Sequence, residues 1–235
     1  MMPDFICQMP RNHLLALRGP ALQIDLTSAE FQHIFRTFDG LWLHSGNPKD
    51  PHVELTAGGC SNGFVNVLQV IRYPNLCRLM AWQLVRQLRR NYERPVHVVV
   101  GSDHASATLS YEVASLLGAW HDFTEKGENH TQVWKRFGIE PHETVLQVED
   151  LVTTTRTLSD VRRGIRRGNQ KPVDFAPVVL TLVHRSSAVS FEGSPIIFLQ
   201  HYDIESWEPS VCPLCAQGSK RVRAKEHWAE LTGRA

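Results

Sequence analysis

The chain has 235 residues, 42% hydrophobic and 21% charged, the make-up of an ordinary soluble globular protein. A formal net charge of +1 gives bulk electrostatics no preference for nucleic acid or membrane surfaces. No apolar run reaches the roughly 18 residues that a spanning helix needs.

The start, "MMPDFICQMPRNH", lacks the basic-then-apolar layout of a secretory signal, and an odd count of five cysteines argues against a disulfide framework. A cytoplasmic location with no membrane partner is the expectation. "TSAEFQHIFRTF" predicts a helix, with Thr27 as cap, Glu30 three residues on, and Phe31, Ile34, Phe35 and Phe38 at helical spacing. "HSGNPKDPH" reads as a loop. "YPNLCRLMAWQLVRQLRR" is the most helical segment, its apolar stripe running from Leu76 to Leu88 and ending in Arg86, Arg89 and Arg90.

"PVHVVVGSD" is a short β-branched run, and "SATLSYEVASLLGA" reads as a helix closed by Gly118. "TVLQVEDLVTTTRTLSDVRRGIRRG" repeats the scheme of strand, turn and helix, with Gly168 as the stop. "APVVLTLVHR" and "PIIFLQHY" are further strands. Strands alternating with helices predict an α/β fold with a mainly parallel central sheet flanked by helices. The tail from Cys212 reads as a polar appendage that packs back through Trp228 and Leu231.

In such sheets ligands bind beyond the carboxyl ends of the strands. Two strand ends carry polar chemistry, at Gly101–Asp103 and at Glu149–Thr157, and the site is expected between them. Adjacent acids on a strand point to opposite faces, so Glu149 and Asp150 do not make a tight metal chelate, though a twist at the strand end could turn both towards a ligand. Carboxylates accept hydrogen bonds from vicinal hydroxyls, and the turn "TTTRT" opens a helix whose free N–H groups suit a phosphate. Together they suggest a ribose 5-phosphate unit. The alternative is a surface turn with a hydroxyl cap and two solvated acids.

"VLQVEDLVTTTRT" resembles the signature of type I phosphoribosyltransferases: a hydrophobic run, two acids, and a hydroxyl-rich phosphate loop. "ELTAGGCSNGFVNV", "VVVGSDHASATLSYEVASLLGA", "FTEKGENHTQVWKRFGIEPHETVLQVED" and "YDIESWEPSVCPLCAQG" resemble, in order, segments of the orotate phosphoribosyltransferases, so the likeness spans roughly Glu54 to Gly218. The resemblance implies a single phosphoribosyltransferase-like domain, 1–235, with an N-terminal hood segment (1–56), a core (57–205) and a CPLC-containing tail (206–235) that joins the hood. It implies a cytoplasmic homodimer that transfers ribose 5-phosphate from phosphoribosyl pyrophosphate to orotate, in pyrimidine nucleotide biosynthesis. The alternatives are a different base, or a non-catalytic nucleotide-binding protein of the same fold.

On this resemblance Glu149 and Asp150 bind the ribose hydroxyls, Thr153, Thr154, Thr155, Arg156 and Thr157 wrap the 5-phosphate, and Ser102 and Asp103 lie in the pyrophosphate loop. Lys126 is the catalytic-loop lysine that reaches the pyrophosphate, and Arg185 lies near the base carboxylate. Mg²⁺ is carried on the substrate, with no dedicated protein metal site. Departures from the family pattern stand at Thr155 and Arg156, where glycine is usual, at Asp103, at Gly59 and Cys60 in place of a basic residue, and in a catalytic loop with few bases besides Lys126.

Cys212 and Cys215 have metal-ligand spacing, but no second CxxC exists. Two reduced, packed cysteines are expected there rather than a structural zinc, to which Cys60, Cys77, His201 or a second subunit could contribute. Arg162, Arg163, Arg166 and Arg167 read as a solvated helix face rather than a nucleic-acid site. Trp134 falls in the candidate mobile segment.

Overall fold

The computed structural model describes residues 5–56 and 58–233; residues 1–4 of the expected hood segment, Ala57 at the hood–core boundary and 234–235 of the tail lie outside them. Helix α1 (Arg11–Ala16) precedes α2 (Ser28–Thr37), which starts at the expected cap. Thr27 accepts from the Glu30 N–H while Glu30 accepts from the Thr27 N–H, a complete capping box. Strands β1 (Leu41–Leu43), β2 (His52–Glu54), β3 (Cys60–Ser61) and β4 (Gly63–Val65) follow, then α3 (Leu68–Ile71) and the long α4 (Pro74–Asn91). Pro74 opens α4 where its missing N–H costs nothing, and Arg89 and Arg90 complement its carboxyl end.

The core then alternates. Strand β5 (Val98–Gly101) leads to α5 (Ala105–Leu117), which ends on Gly118 in the left-handed conformation, as expected (φ +71°). Strand β6 (Trp120–Phe123) is followed by a small hairpin of β7 (Glu125–Lys126) and β8 (Gln132–Val133). Strand β9 (Thr144–Val152), α6 (Arg156–Gly168) and β10 (Asp174–His184) make a second unit, completed by β11 (Ser190–Phe191) and β12 (Ser194–His201). The six-stranded sheet runs β11-β12-β10-β9-β5-β6, parallel except for the β11–β12 pair.

Strand alternation divides the core between the two faces of this sheet. Val99, Leu146, Val148 and Leu180 pack with Leu109 and Val113 of α5 and with α4, whereas Val98, Val100 and Val145 pack with Val161 and Ile165 of α6. Helices α5 and α6 therefore cover opposite faces, and their strands β5 and β9 are neighbours. That is a topological switch point, where chains leaving adjacent strand ends diverge and open a crevice.

The chain ends meet in a second, four-stranded sheet ordered β13-β3-β2-β14, with β13 (Ser206–Trp207) and β14 (Arg221–Arg223) supplied by the tail. Between those two strands lies α7 (Pro213–Ala216), and α8 (Trp228–Leu231) packs Leu231 and Trp228 against Val53 and Val222. The tail thus packs back through the two residues expected to anchor it. Among the described residues no helix is long and apolar enough to cross a membrane.

Helix α6 ends at Gly168 as expected, but without a left-handed turn: its cap, Asn169, is extended. Gly164 and Gly168, one turn apart, instead let the Gln132–Trp134 backbone lie directly on α6, because a Cβ at either would collide with the Gln132 or Trp134 carbonyl. Trp134 is buried in the α6 core, donating its indole N–H to the Phe137 carbonyl at 2.6 Å.

Candidate active site

Glu149 sits near the carboxyl end of β9, 1% exposed. It accepts from Ser102 Oγ and Ser106 Oγ, each at 2.7 Å, and from Gln147 Nε2 at 3.2 Å. The alternative of two solvated acids is therefore excluded for Glu149. Burial, with Asp150 adding to it, pushes the Glu149 carboxyl up to about 7, against the pull of those donors. Asp150, half-buried, is likewise raised, first by burial and further by the Asp103 carboxylate.

Although adjacent acids start on opposite faces, one hydroxyl touches both. Ser106 Oγ lies 2.7 Å from Glu149 and 2.7 Å from Asp150 Oδ1, and it accepts the Asp150 N–H at 3.1 Å. A serine has one proton to donate, so two such contacts are satisfied together only when one carboxyl keeps its own proton. A raised Glu149 supplies it. Burial raises both carboxyls, so the two acids do not ionise freely together.

Gly101 brings the two units this close, since a Cβ there would meet the Ser106 carbonyl at 2.6 Å and Ser110 Oγ at 2.7 Å. The following turn is strained. His104 caps α5 at φ +59°, ψ −110°, a region that costs a non-glycine residue about 1–3 kcal/mol and collects at functional sites.

Asp103, the acid in the expected pyrophosphate loop, does not face its surroundings unpaired. Lys126 Nζ reaches it at 3.1 Å, His104 Nε2 at 3.2 Å and Gln132 Nε2 at 3.2 Å. The β7–β8 hairpin thereby brings Lys126, expected to be the catalytic-loop lysine, to the β5–α5 turn.

Beyond β9, Thr153 and Thr154 are exposed in the turn, Thr155 (φ −78°) is the residue before α6, and Arg156 and Thr157 open the helix. The first-turn N–H groups of a helix have no partner within it. Neither Thr155 nor Arg156 has a positive φ, so the family glycine is not required there by backbone strain. Arg156 turns outward, its Nε 3.7 Å from Asp160. Arg185 follows β10 with its N–H on the Val152 carbonyl at 2.8 Å; its Nε is buried without a hydrogen-bond partner, and burial lowers its pKa.

The structure thus groups Ser102 with Glu149 and Asp103 with Lys126 around the β5 and β9 ends. Ser106, Gln147 and Arg162 escaped the sequence reading. Arg162 is 3% exposed, donates to Gln147 at 3.2 Å and Glu192 at 3.0 Å, and lies over Phe175 and Phe191. The arginine group is thus not one solvated face, and a chain of hydrogen bonds runs from Arg162 through Gln147 to Glu149. The signals were present: Gln147 is two residues before Glu149 on a strand, and Arg162 lies four residues after Leu158 and three before Ile165, on the apolar stripe.

Comparison with known proteins gives the same direction. An orotate phosphoribosyltransferase of Caldicellulosiruptor bescii is 30% identical over 172 residues, 73% of this chain and 87% of that protein. The chain belongs to the orotate phosphoribosyltransferase family. The orotate phosphoribosyltransferase of Desulforamulus reducens is 31% identical over 184 residues, covering 78% of this chain and 92% of that one. No family model matches. Among solved structures, the family members from Aeropyrum pernix and Mycobacterium tuberculosis both superpose with TM-score 0.52, covering 72% of this chain and 91% and 93% of theirs. Their identities of 15% and 16% speak for the fold.

Proposed function

We propose that this chain transfers ribose 5-phosphate from phosphoribosyl pyrophosphate to orotate, releasing pyrophosphate and forming a pyrimidine nucleotide. One observation carries the reading: the acid pair at the end of β9 is held against the β5–α5 turn, directly ahead of the open first turn of α6. Sugar-hydroxyl acceptors and phosphate donors lie there in the order a ribose 5-phosphate presents its groups.

Asp150, the less buried acid, accepts from the ribose hydroxyls, and Glu149 fixes Ser102 and Ser106 behind it. The turn 153–157 takes the 5-phosphate through N–H groups and threonine hydroxyls. Displacement at the anomeric carbon passes through an oxocarbenium-like state and needs positive charge on the departing pyrophosphate. Lys126 supplies it by leaving Asp103 for the incoming anion, and the hairpin that carries it excludes water from the competing hydrolysis. Arg185, with an unpartnered buried Nε, is the residue for the orotate carboxylate.

The hard oxygen donors around Asp103 and Asp150 fit Mg²⁺ brought in with the substrate, where it neutralises pyrophosphate charge. Assembly as a homodimer and a cytoplasmic location belong to the same reading. A binding-only role is favoured by the Lys126–Asp103 ion pair, which holds the lysine away from other anions.

The test incubates the protein with phosphoribosyl pyrophosphate, Mg²⁺ and a panel of orotate, uracil, adenine and other bases, and follows pyrophosphate release. Release with orotate is expected. Release with another base alone reassigns the acceptor, and no release with any base, despite nucleotide binding by calorimetry, replaces catalysis with binding.

A further inference from the structure

Away from the crevice, four metal-ligating side chains converge on the small sheet. His52 of β2, Cys60 of β3, Cys212 capping α7 and Cys215 within it present ligand atoms that all lie within 4.8 Å of one another. Cys60 Sγ is 3.6 Å from Cys215 Sγ, and His52 Nε2 is 3.4 Å from Cys215 Sγ and 3.8 Å from Cys212 Sγ. A tetrahedron with Zn–S bonds of about 2.3 Å and a Zn–N bond of about 2.05 Å has S···S edges of about 3.8 Å and S···N edges of about 3.6 Å. The observed separations scatter around those values, and a sulfur pair at 3.6 Å is far beyond the roughly 2.05 Å of a disulfide.

The surroundings orient the ligands. His52 is fully buried, and its Nδ1 lies 2.8 Å from Ser219 Oγ. Ser219 gives its one proton to the Asp50 carbonyl at 2.7 Å, so it accepts from His52 Nδ1–H. That tautomer leaves the Nε2 lone pair aimed at the three sulfurs, the outer-shell arrangement that zinc-bound imidazoles use. The Cys215 N–H points at Cys212 Sγ at 3.4 Å.

We propose that His52, Cys60, Cys212 and Cys215 bind a structural Zn²⁺. The expectation of an isolated cysteine pair is replaced, because the two further ligands come from β2 and β3. Of the donors considered from sequence, Cys60 is present; Cys77 lies against the Thr108 carbonyl and His201 against His184. Three thiolates and an imidazole with no open position suit zinc in a structural rather than a catalytic role. The need is visible in the fold. Strands β3 and β13 are two residues each, too short to hold the tail by pairing alone, and the ion ties residues 52–60 to residues 212–215 across more than half the chain.

The full-length, untagged protein is purified under reducing conditions, incubated with Zn²⁺, desalted, and its metal measured by mass spectrometry. About one zinc per chain is expected, released by a mercurial that caps the thiols. Co²⁺ exchange should give the thiolate charge-transfer band and intense visible bands of a tetrahedral site. Cys215→Ser and His52→Gln should lose the metal while Cys77→Ser, a buried cysteine outside the cluster, keeps it. If either loss variant fails to fold, the mercurial release and Co²⁺ spectrum of the unaltered protein decide. No zinc above the buffer blank, retention of full zinc by folded Cys215→Ser, or an octahedral Co²⁺ spectrum without sulfur charge transfer would overturn the proposal.

Discussion

The acid pair predicts an inverse relation between stability and charge at Glu149. Its carboxyl titrates at about 7 in the folded chain against an ordinary 4.5, because burial disfavours the anion. Between those values the folded state holds a proton that the unfolded state has lost. The contribution to stability is therefore complete below about pH 4.5, falls as pH rises, and reaches its full cost above pH 7. At about 1.4 kcal/mol per pH unit the cost is about 3 kcal/mol. Glu149→Gln removes it while keeping groups that Ser102, Ser106 and Gln147 can bond, so the variant should be the more stable protein at pH 8 and nearly equal at pH 5. For a chain of this size, 3 kcal/mol is roughly 6–12 °C in Tm. Thermal unfolding of both proteins at the two pH values measures the difference of differences. A variant destabilised equally at pH 5 and pH 8 would refute the reasoning, for the carboxyl would then act only through packing and neutral hydrogen bonds.

Lys126→Ala should lower kcat/KM for phosphoribosyl pyrophosphate by about 10²–10³ with little change in Tm, as expected for loss of one charge on the leaving group; steady-state kinetics at fixed orotate and Mg²⁺ reads it. Arg162→Ala opens the space between Phe175 and Phe191 and leaves the buried Gln147 Oε1 without its donor, while the exposed Glu192 keeps Arg166, and should cost about 2–4 kcal/mol in urea unfolding. Gly168→Ala should destabilise by about 1–3 kcal/mol, because the Trp134 carbonyl is fixed backbone that cannot yield, and should raise the KM by shifting the Lys126 hairpin. Arg156→Gly should bring no gain in stability, since no positive φ is relieved; any rise in KM for phosphoribosyl pyrophosphate measures the guanidinium's reach to phosphate.

What the sequence makes legible is what local physics governs. The Thr27–Glu30 box, Pro74, Gly118 and the β-branched runs each act within a few residues, and each element they announce is where they place it. The crevice was also legible, because strand–helix alternation dictates where parallel strand ends lie. Residues whose role depends on a distant partner were not. Gln147 matters because Arg162 reaches it from the next helix, and His52 because the tail returns 160 residues later to place Cys212 beside it. Gly168 was legible as the end of α6, but the reason for its small size, the Trp134 backbone lying on it just after β8, was not.

Three of the departures from the family pattern, at Arg156, Asp103 and Cys60, share one physical theme: each has a neighbour that neutralises its cost. Arg156 stands where glycine is usual, yet the backbone there is helical and Asp160 takes its charge. Asp103 would repel pyrophosphate, yet Lys126 and His104 already bind its carboxylate, so the substrate meets a neutral cluster from which one cation can be drawn away. Cys60 replaces a basic residue near the hood, and there it completes the four-ligand cluster. A site that had merely decayed would carry such substitutions without partners. Here the ion pairs and hydrogen bonds around them are formed, which is the pattern of a binding site retuned for its electrostatics rather than abandoned.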